Sequence, residues 1–251
     1  MTTRSPYTSL DVARELTRSH LKYFVYVWGA VFAATALIVA GVAVFAGTVN
    51  TSFLVFSQNP TRYWFFVSGI LMIVINLRIY VTHGVTRRSF AAGGSLAGTA
   101  IAAAIAAMMA LGFGAEHLVY QAAGWQWEPS EGLYFSFTSG AQTHLIFAEY
   151  LVVYASHFLA GVAAGLVFIR LHWTLAVPAS LLAYAGAAGV EAVLGVGWPG
   201  RVMAETPTLE PLPFPAASVA VVALVVAMAG ANQLMLRDVP VAKSSTMARA
   251  C

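Results

Sequence analysis

The sequence predicts an all-α integral membrane protein with six transmembrane helices, both termini cytoplasmic, preceded by an amphipathic interfacial helix. Three observations predict this class. Of the 251 residues, 59% are hydrophobic and 9% are charged, whereas soluble domains carry roughly a quarter of their residues as charges. The apolar residues collect in six segments near the ~20 residues that a helix needs to cross a bilayer. Basic residues gather at one set of segment ends.

The chain is predicted to consist of a cytoplasmic leader at 1–22, a transmembrane domain at 23–237 and a disordered cytoplasmic tail at 238–251. The first apolar run exceeds the ~7–15 residues of a cleavable signal peptide, so we expect it to be retained as a helix. The six spans are predicted at 23–46, 63–83, 91–114, 143–169, 174–196 and 214–236.

The leader has the pattern of an amphipathic helix over 8–22, with Thr8 and Asp11 as a capping box. Its apolar and charged residues separate onto two faces, so we expect the helix to lie along the membrane surface. A solvated leader without a role is the alternative. The apolar face is predicted from Leu10, Ala13, Leu16, Leu21 and Phe24, and the charged face from Asp11, Arg14, Glu15, Arg18 and Lys22.

Basic residues assign the two sides of the membrane. Six spans put both termini on one side, and 11 of the 13 lysines and arginines fall there, leaving Arg62 and Arg201 on the other. Because basic residues favour the cytoplasmic side, that side is predicted to be cytoplasmic. The 11 are Arg4, Arg14, Arg18, Lys22, Arg78, Arg87, Arg88, Arg170, Arg237, Lys243 and Arg249.

Two of the three outer connections have a distinctive composition. The longer one, 115–142, is rich in aromatic residues, which favour the membrane interface. An interfacial belt is one interpretation, and a short helix dipping back into the outer leaflet is the other. The shorter one, 197–213, is punctuated by proline and leaves no room for an outer domain. The candidate residues of the long connection are Glu116, Trp125 and Trp127.

Small residues recur every four positions in three spans. They let helix backbones approach closely, which is how helices associate in lipid. We expect these stripes to pack helices within one subunit, with a dimer face as the alternative. The stripes are Gly94, Gly98, Ala102 and Ala106; Gly161 and Gly165; and Ala185 and Gly189.

Several polar side chains fall at membrane depth, where an ionisable group indicates function. They are the candidates for a translocation path. Arg78 is expected to extend to the cytoplasmic surface. The candidates are Asn76, Glu149, His157, Glu191 and Asn232.

The sequence argues against a cofactor or a catalytic site in this chain. His83, His144 and His157 lie at different predicted depths, so no two of them can hold a haem, and none are spaced for zinc. No predicted span contains an aspartate. The single cysteine, Cys251, excludes a disulfide within the chain.

ATP binding is excluded by a missing motif. The only lysines are Lys22 and Lys243, and neither stands in a Gly-x-x-x-x-Gly-Lys-Ser/Thr phosphate loop. Any ATP-driven work therefore requires a separate subunit.

A basic island, His83-Gly84-Val85-Thr86-Arg87-Arg88-Ser89-Phe90, separates the second and third spans. Two adjacent arginines are costly in hydrocarbon, so the island must lie at a membrane surface. Gly84, the cap candidate Thr86 and the apolar anchor Phe90 predict a tight turn followed by a new helix.

With the leader helix, the six spans and this Gly-Val-Thr-Arg-Arg-Ser-Phe turn, the chain resembles the permease subunits of type 2 ABC exporters, most closely the small bacterial six-helix permeases. The motif-level likeness runs from Val81 to about Trp125, through Ala115-Glu116-His117. It implies a multi-pass protein of the bacterial cytoplasmic membrane that exports a hydrophobic or amphipathic drug, peptide or lipid-like compound.

The resemblance also implies partners and roles. Two permeases, identical or related, assemble in membrane lipid with two cytoplasmic ATPases that bind ATP and Mg²⁺. Separately, the basic residues collect beside apolar spans, so no nucleic-acid partner is expected. The coupling turn would be Gly84, Thr86, Arg87, Arg88 and Phe90. The connecting helix against the same ATPase would be Leu10, Arg14, Leu16 and Arg18.

One feature departs from that family. The re-entrant helices often found between spans five and six have little room in 197–213, whereas the long outer connection lies between spans three and four. Two other interpretations stay open: a polytopic scaffold or sensor, and an ion-coupled secondary transporter that uses Glu149 and Glu191.

Overall fold

The computed structural model describes residues 8–49, 51–127, 136–206, 214–237 and 239. It confirms an all-α protein with six helices long and apolar enough to cross a membrane. A short helix lies between the fifth and sixth of these. The helices are α1 (Ser9–Ala46), α2 (Leu54–Thr82), α3 (Arg87–Ala123), α4 (Thr143–Arg170), α5 (Trp173–Leu194), α6 (Gly197–Ala204) and α7 (Phe214–Arg237).

Helix α1 joins the predicted leader and the predicted first span without a break. Its start is fixed by the predicted capping box: the Thr8 hydroxyl accepts from Asp11 N at 3.3 Å, and Thr8 N donates to Asp11 Oδ2 at 2.9 Å. The predicted boundary at residue 22 is therefore not a structural one.

The buried stripe of α1 contains Ala13, Leu16 and Phe24 of the predicted apolar face but not Leu10 or Leu21. Val12, Leu16, Phe24 and Trp28 are buried, at spacings of four and eight residues, whereas Leu10 is 71% exposed. These spacings keep one face of the helix against its neighbours from the leader into the span. Val12 thus takes the buried place that was predicted for Leu10.

Helix α2 begins nine residues before the predicted span. It opens with a 3₁₀ turn, Leu54–Ser57, and contains a π-helical stretch, Met72–Leu77. The prediction that Arg62 lies in an outer connection is wrong, because the residue stands two turns inside this helix and is 5% exposed.

The centre of the bundle is α4, which packs against α2, α3, α5 and α7. In the most apolar stretch of α4, 72% of the residues are buried, whereas none are buried in the corresponding stretch of α1. Close approach to α2 depends on glycine: a Cβ on Gly165 would lie 2.9 Å from Ile73 Cβ, and one on Gly69 would lie 2.7 Å from Val162 N. Burial of α4 therefore rests on small residues at its interface with α2.

The stripes predicted to pack within the subunit do so in α3 and α4. A Cβ on Gly94 would meet Met72 at 2.8 Å, and Gly98 faces Phe158. The stripe in α5 differs, since Ala185 is exposed and no atom lies within 4 Å of a Cβ on Gly189.

One end of the bundle, here called the terminal end, holds the start of α1, the α2–α3 turn and the ends of α4 and α7. Arg87 Nη1 donates to the carbonyl of Arg237 at 3.2 Å, and Arg170 donates to the carbonyl of Met235. Gly93 of α3 faces Ser9 and Val12 of α1. The opposite end, with residues 47–49, 51–53, 124–127, 136–142 and 195–206, is called the loop end.

The ends of the chain and parts of three connections, residues 50, 128–135 and 207–213, lie outside the described residues. The predicted tail is among them except for residue 239, as is the middle of the long outer connection. That connection is shorter than predicted, because α3 continues to Ala123.

Candidate functional site

The α2–α3 turn at the terminal end is short and fully capped. Gly84 has φ +85°, and Val85 N donates to Tyr80 O at 3.0 Å, which closes the end of α2. Thr86 then caps α3, its hydroxyl accepting from Ser89 N at 3.1 Å. The prediction of a tight turn followed by a new helix is confirmed, and residues 87–90 are the first turn of α3 itself.

The turn is fastened to the bundle by apolar side chains. Phe90 is 0% and Val85 4% exposed, and the Phe90 ring centre lies 5.5 Å from that of Tyr80. A docking protein cannot reach Phe90 in this state. The role implied for Phe90 in coupling is thus that of an internal anchor, not of a contact residue.

A groove of about 830 Å³ separates the first turns of α1 from this turn. It joins the two segments that the resemblance relates to one ATPase. Of the connecting-helix candidates, Arg14 and Arg18 are exposed on the groove and Leu16 is buried behind it, 3% exposed. The groove is lined by Asp11, Val12, Arg14, Glu15, Arg18, Ile79, Tyr80, His83 and Val85.

Arg87 and Arg88 lie away from this groove. They line a separate cavity of about 290 Å³ with the end of α7, where Gln233 and Arg237 contribute its other polar side chains. The groove is thus lined by the connecting-helix candidates Arg14 and Arg18 but by none of the predicted coupling-turn residues, of which Arg87 and Arg88 line the cavity instead.

A buried polar cluster crosses three helices near the loop end. Arg62 Nη1 donates to Glu191 Oε1 at 2.6 Å, and the two side chains are 6% and 2% exposed. His157 Nε2 stands 3.8 Å from the same oxygen and 3.3 Å from Tyr184 Oη. Arg62 Nη2 also donates to Gln58 Oε1 at 2.9 Å. The cluster ties α2, α4 and α5 together inside the apolar bundle.

Glycine lets the chain cover this cluster. Gly197, the first residue of α6, has φ +64°, and a Cβ there would lie 2.6 Å from Arg62 Nη1 and 3.2 Å from Glu191 Oε2. Only a residue without a side chain fits this approach. Helix α6 thereby closes the loop end of the cluster.

Two other acidic candidates, Glu149 and Glu116, accept hydrogen bonds from residues of the loops at the loop end. Glu149 Oε2 accepts from Ser136 N at 2.7 Å and from Ser136 Oγ at 2.6 Å. Glu116, predicted in the outer connection, lies inside α3 and accepts from Ser52 Oγ at 2.5 Å and from Trp127 Nε1 at 3.1 Å. Both carboxylates are below 10% exposed. They hold the loops onto the ends of α3 and α4.

The remaining candidates lie apart. Asn232 donates to Leu159 O at 2.9 Å and joins α7 to α4. Asn76 is half-buried in the π-helical stretch of α2, and Trp125 packs its ring against Tyr120 at 5.6 Å. Of the five predicted path residues, only His157 and Glu191 come together.

Sequence reasoning missed Arg62, Gln58 and Tyr184. Arg62 and Gln58 stand four residues apart, the spacing at which two side chains share a helix face. That signal would have identified them if the start of α2 had been placed correctly.

No model of a known protein family matches the chain, and neither a curated protein nor a solved structure matches it.

Proposed function

We propose that this chain is the membrane-spanning permease subunit of an ATP-driven exporter of the type 2 ABC class, powered by a separate cytoplasmic ATPase. Two such permeases and two ATPases form the transporter, and the cargo is a hydrophobic or amphipathic compound. The observation that carries the proposal is the groove between α1 and the α2–α3 turn, with Arg14, Arg18 and His83 on its surface.

Charge supports the groove as the docking site. The α1 side of the groove carries two acidic and two basic side chains, Asp11, Glu15, Arg14 and Arg18. Such a pattern of opposite charges suits a protein partner with a complementary pattern. The positive-inside rule directs the basic terminal end to the cytoplasm, where a soluble ATPase is found.

Rigidity supports coupling through this groove. The turn is capped on both sides, and Phe90 anchors it in the bundle. The start of α1 packs on α3 at Gly93. A displacement of the groove is therefore passed to α2 and α3, and through the glycine contacts of α2 to α4, because close-packed interfaces shift as units.

Reversal of charge in the groove tests the proposal. In the Arg14→Glu/Arg18→Glu variant we expect the co-purified ATPase and its ATP hydrolysis to fall at least tenfold, since like charges across an interface cost several kcal/mol. Arg201→Glu, an exposed arginine at the loop end, is the matched control. Wild-type protein that purifies without an ATP-hydrolysing partner would contradict the proposal.

A second function is favoured by the cluster of Arg62, His157 and Glu191. An ionisable group between helices at membrane depth is typical of ion-coupled transport. If the chain were a secondary transporter, Glu191→Gln would abolish transport driven by a proton gradient, and no ATPase would be needed.

A further inference from the structure

The cavity between the start of α3 and the end of α7 has the composition of an anion site. Arg87, Arg88 and Arg237 line it together with Gln233, and Ala91 and Leu236 supply its apolar walls. We propose that this cavity binds the phosphate of an anionic phospholipid in the leaflet at the terminal end.

Three arginines line one cavity, and a bound anion would offset their mutual repulsion. Arg87 Nη1 donates to the carbonyl of Arg237, and no carboxylate of the described residues (8–49, 51–127, 136–206, 214–237 and 239) forms an ion pair with any of the three. Guanidinium groups bind phosphate through two parallel hydrogen bonds, so a phosphate matches this site in charge and in geometry. The amide of Gln233 adds a neutral donor.

The position of the cavity favours a lipid over a soluble phosphate. It lies where two apolar helices end, and basic pockets between transmembrane helices at this depth recognise anionic headgroups. On α7, Val226, Gly230, Gln233 and Arg237 follow at spacings of four, three and four, which places them on one helix face. Val226 is 64% exposed, and no atom lies within 4 Å of a Cβ on Gly230. This apolar strip gives an acyl chain a surface directly beneath the arginines.

The inference is independent of the ATPase proposal. The groove of Arg14 and Arg18 and the cavity of Arg87, Arg88 and Arg237 share no lining residue. Either can fail while the other stands.

Lipid binding by the full chain in detergent micelles tests the site, with phosphatidylglycerol as the anionic probe and phosphatidylcholine as the neutral one. We expect native mass spectrometry to show tighter binding of phosphatidylglycerol. The Arg87→Gln/Arg237→Gln variant should bind it roughly 25-fold more weakly, at about fivefold for each arginine removed. Arg14→Gln/Arg18→Gln, which removes two charges at the same end but outside the cavity, should bind as the wild type does.

Three results would overturn the inference. The first is equal affinity for the two lipids, and the second is a double variant that retains wild-type affinity while its lipid-free melting temperature is unchanged. The third is displacement of the lipid by inorganic phosphate at equal concentration, which would make free phosphate the ligand. Asp238→Asn removes the carboxylate that follows Arg237 in the sequence. Because this removes a negative charge, the preference for phosphatidylglycerol should stay the same or increase. Loss of that preference would contradict the proposed phosphate site.

Discussion

Arg62 and Glu191 form an ion pair inside an apolar bundle, where each charge depends on the other. In Glu191→Gln the Arg62 guanidinium remains buried without its counter-charge. We expect the free energy of unfolding to fall by about 3–5 kcal/mol. Denaturation of the purified protein in mixed micelles measures this loss.

The chain contains a matched control for that substitution. Arg201 and Glu205 form a pair at 2.8 Å whose side chains are 51% and 55% exposed. Because exposed pairs contribute little, Glu205→Gln should cost less than about 1 kcal/mol. Equal losses in the two variants would mean that the pair of Arg62 and Glu191 is not buried as described.

The sequence identified part of this cluster. Glu191 and His157 stand out because the residues around them are apolar, and a polar group in such a segment is conspicuous. Arg62 was missed because it follows the polar Gln58 and Asn59 and the turn-forming Pro60, which together indicated a connection. The tertiary pairing of residues 129 positions apart could not be predicted, since no local pattern encodes which helices become neighbours.

At the scale of elements, the contact of α2 with α4 is set by glycine. A Cβ on Gly161 would collide with the carbonyl of Phe66 and lie 3.1 Å from Gly69 Cα. We expect Gly161→Ala to destabilise the protein by about 1–3 kcal/mol, because backbone at the contact cannot move aside cheaply. Thermal unfolding measures the change.

Gly189→Ala is the control for that substitution, because it makes the same change in an open part of α5. Replacing glycine by alanine in a helix favours the helix by up to about 1 kcal/mol, so this variant should be as stable as the wild type or more so. A loss at Gly189 equal to that at Gly161 would contradict the packing of the single chain.

Element positions were predicted best where the apolar pattern was cleanest. The predicted spans at 143–169, 174–196 and 214–236 match α4, α5 and α7 within two residues. Gln142 and Arg170 bound the apolar run of α4, and His172 and Gly195 bound that of α5. Helix α1 was harder. Its leader has the charge pattern of a surface helix, but the backbone hydrogen bonds continue through Lys22, since nothing there breaks a helix.

At the scale of the molecule, composition alone indicated a multi-pass membrane protein, because a soluble chain cannot expose so much apolar surface. The identity of a binding partner could not be predicted in the same way, because binding depends on two surfaces and this sequence encodes one of them. The division of the terminal end into a mixed-charge groove and an arginine cavity became visible only in three dimensions, because Arg87 and Arg237 are 150 residues apart.

The central claim, that a separate ATPase docks in the groove, is tested most directly by cross-linking in native membranes. With Cys251→Ser as background, His83→Cys puts a single thiol on the groove, and Arg201→Cys puts one at the loop end as control. A maleimide–benzophenone cross-linker, whose maleimide adds to the thiol and whose photoactivated ketone inserts into a neighbouring C–H bond, should join His83→Cys, but not Arg201→Cys, to a protein whose peptides contain a phosphate loop. Products at His83→Cys that contain only this chain, or no product at all, would contradict the account.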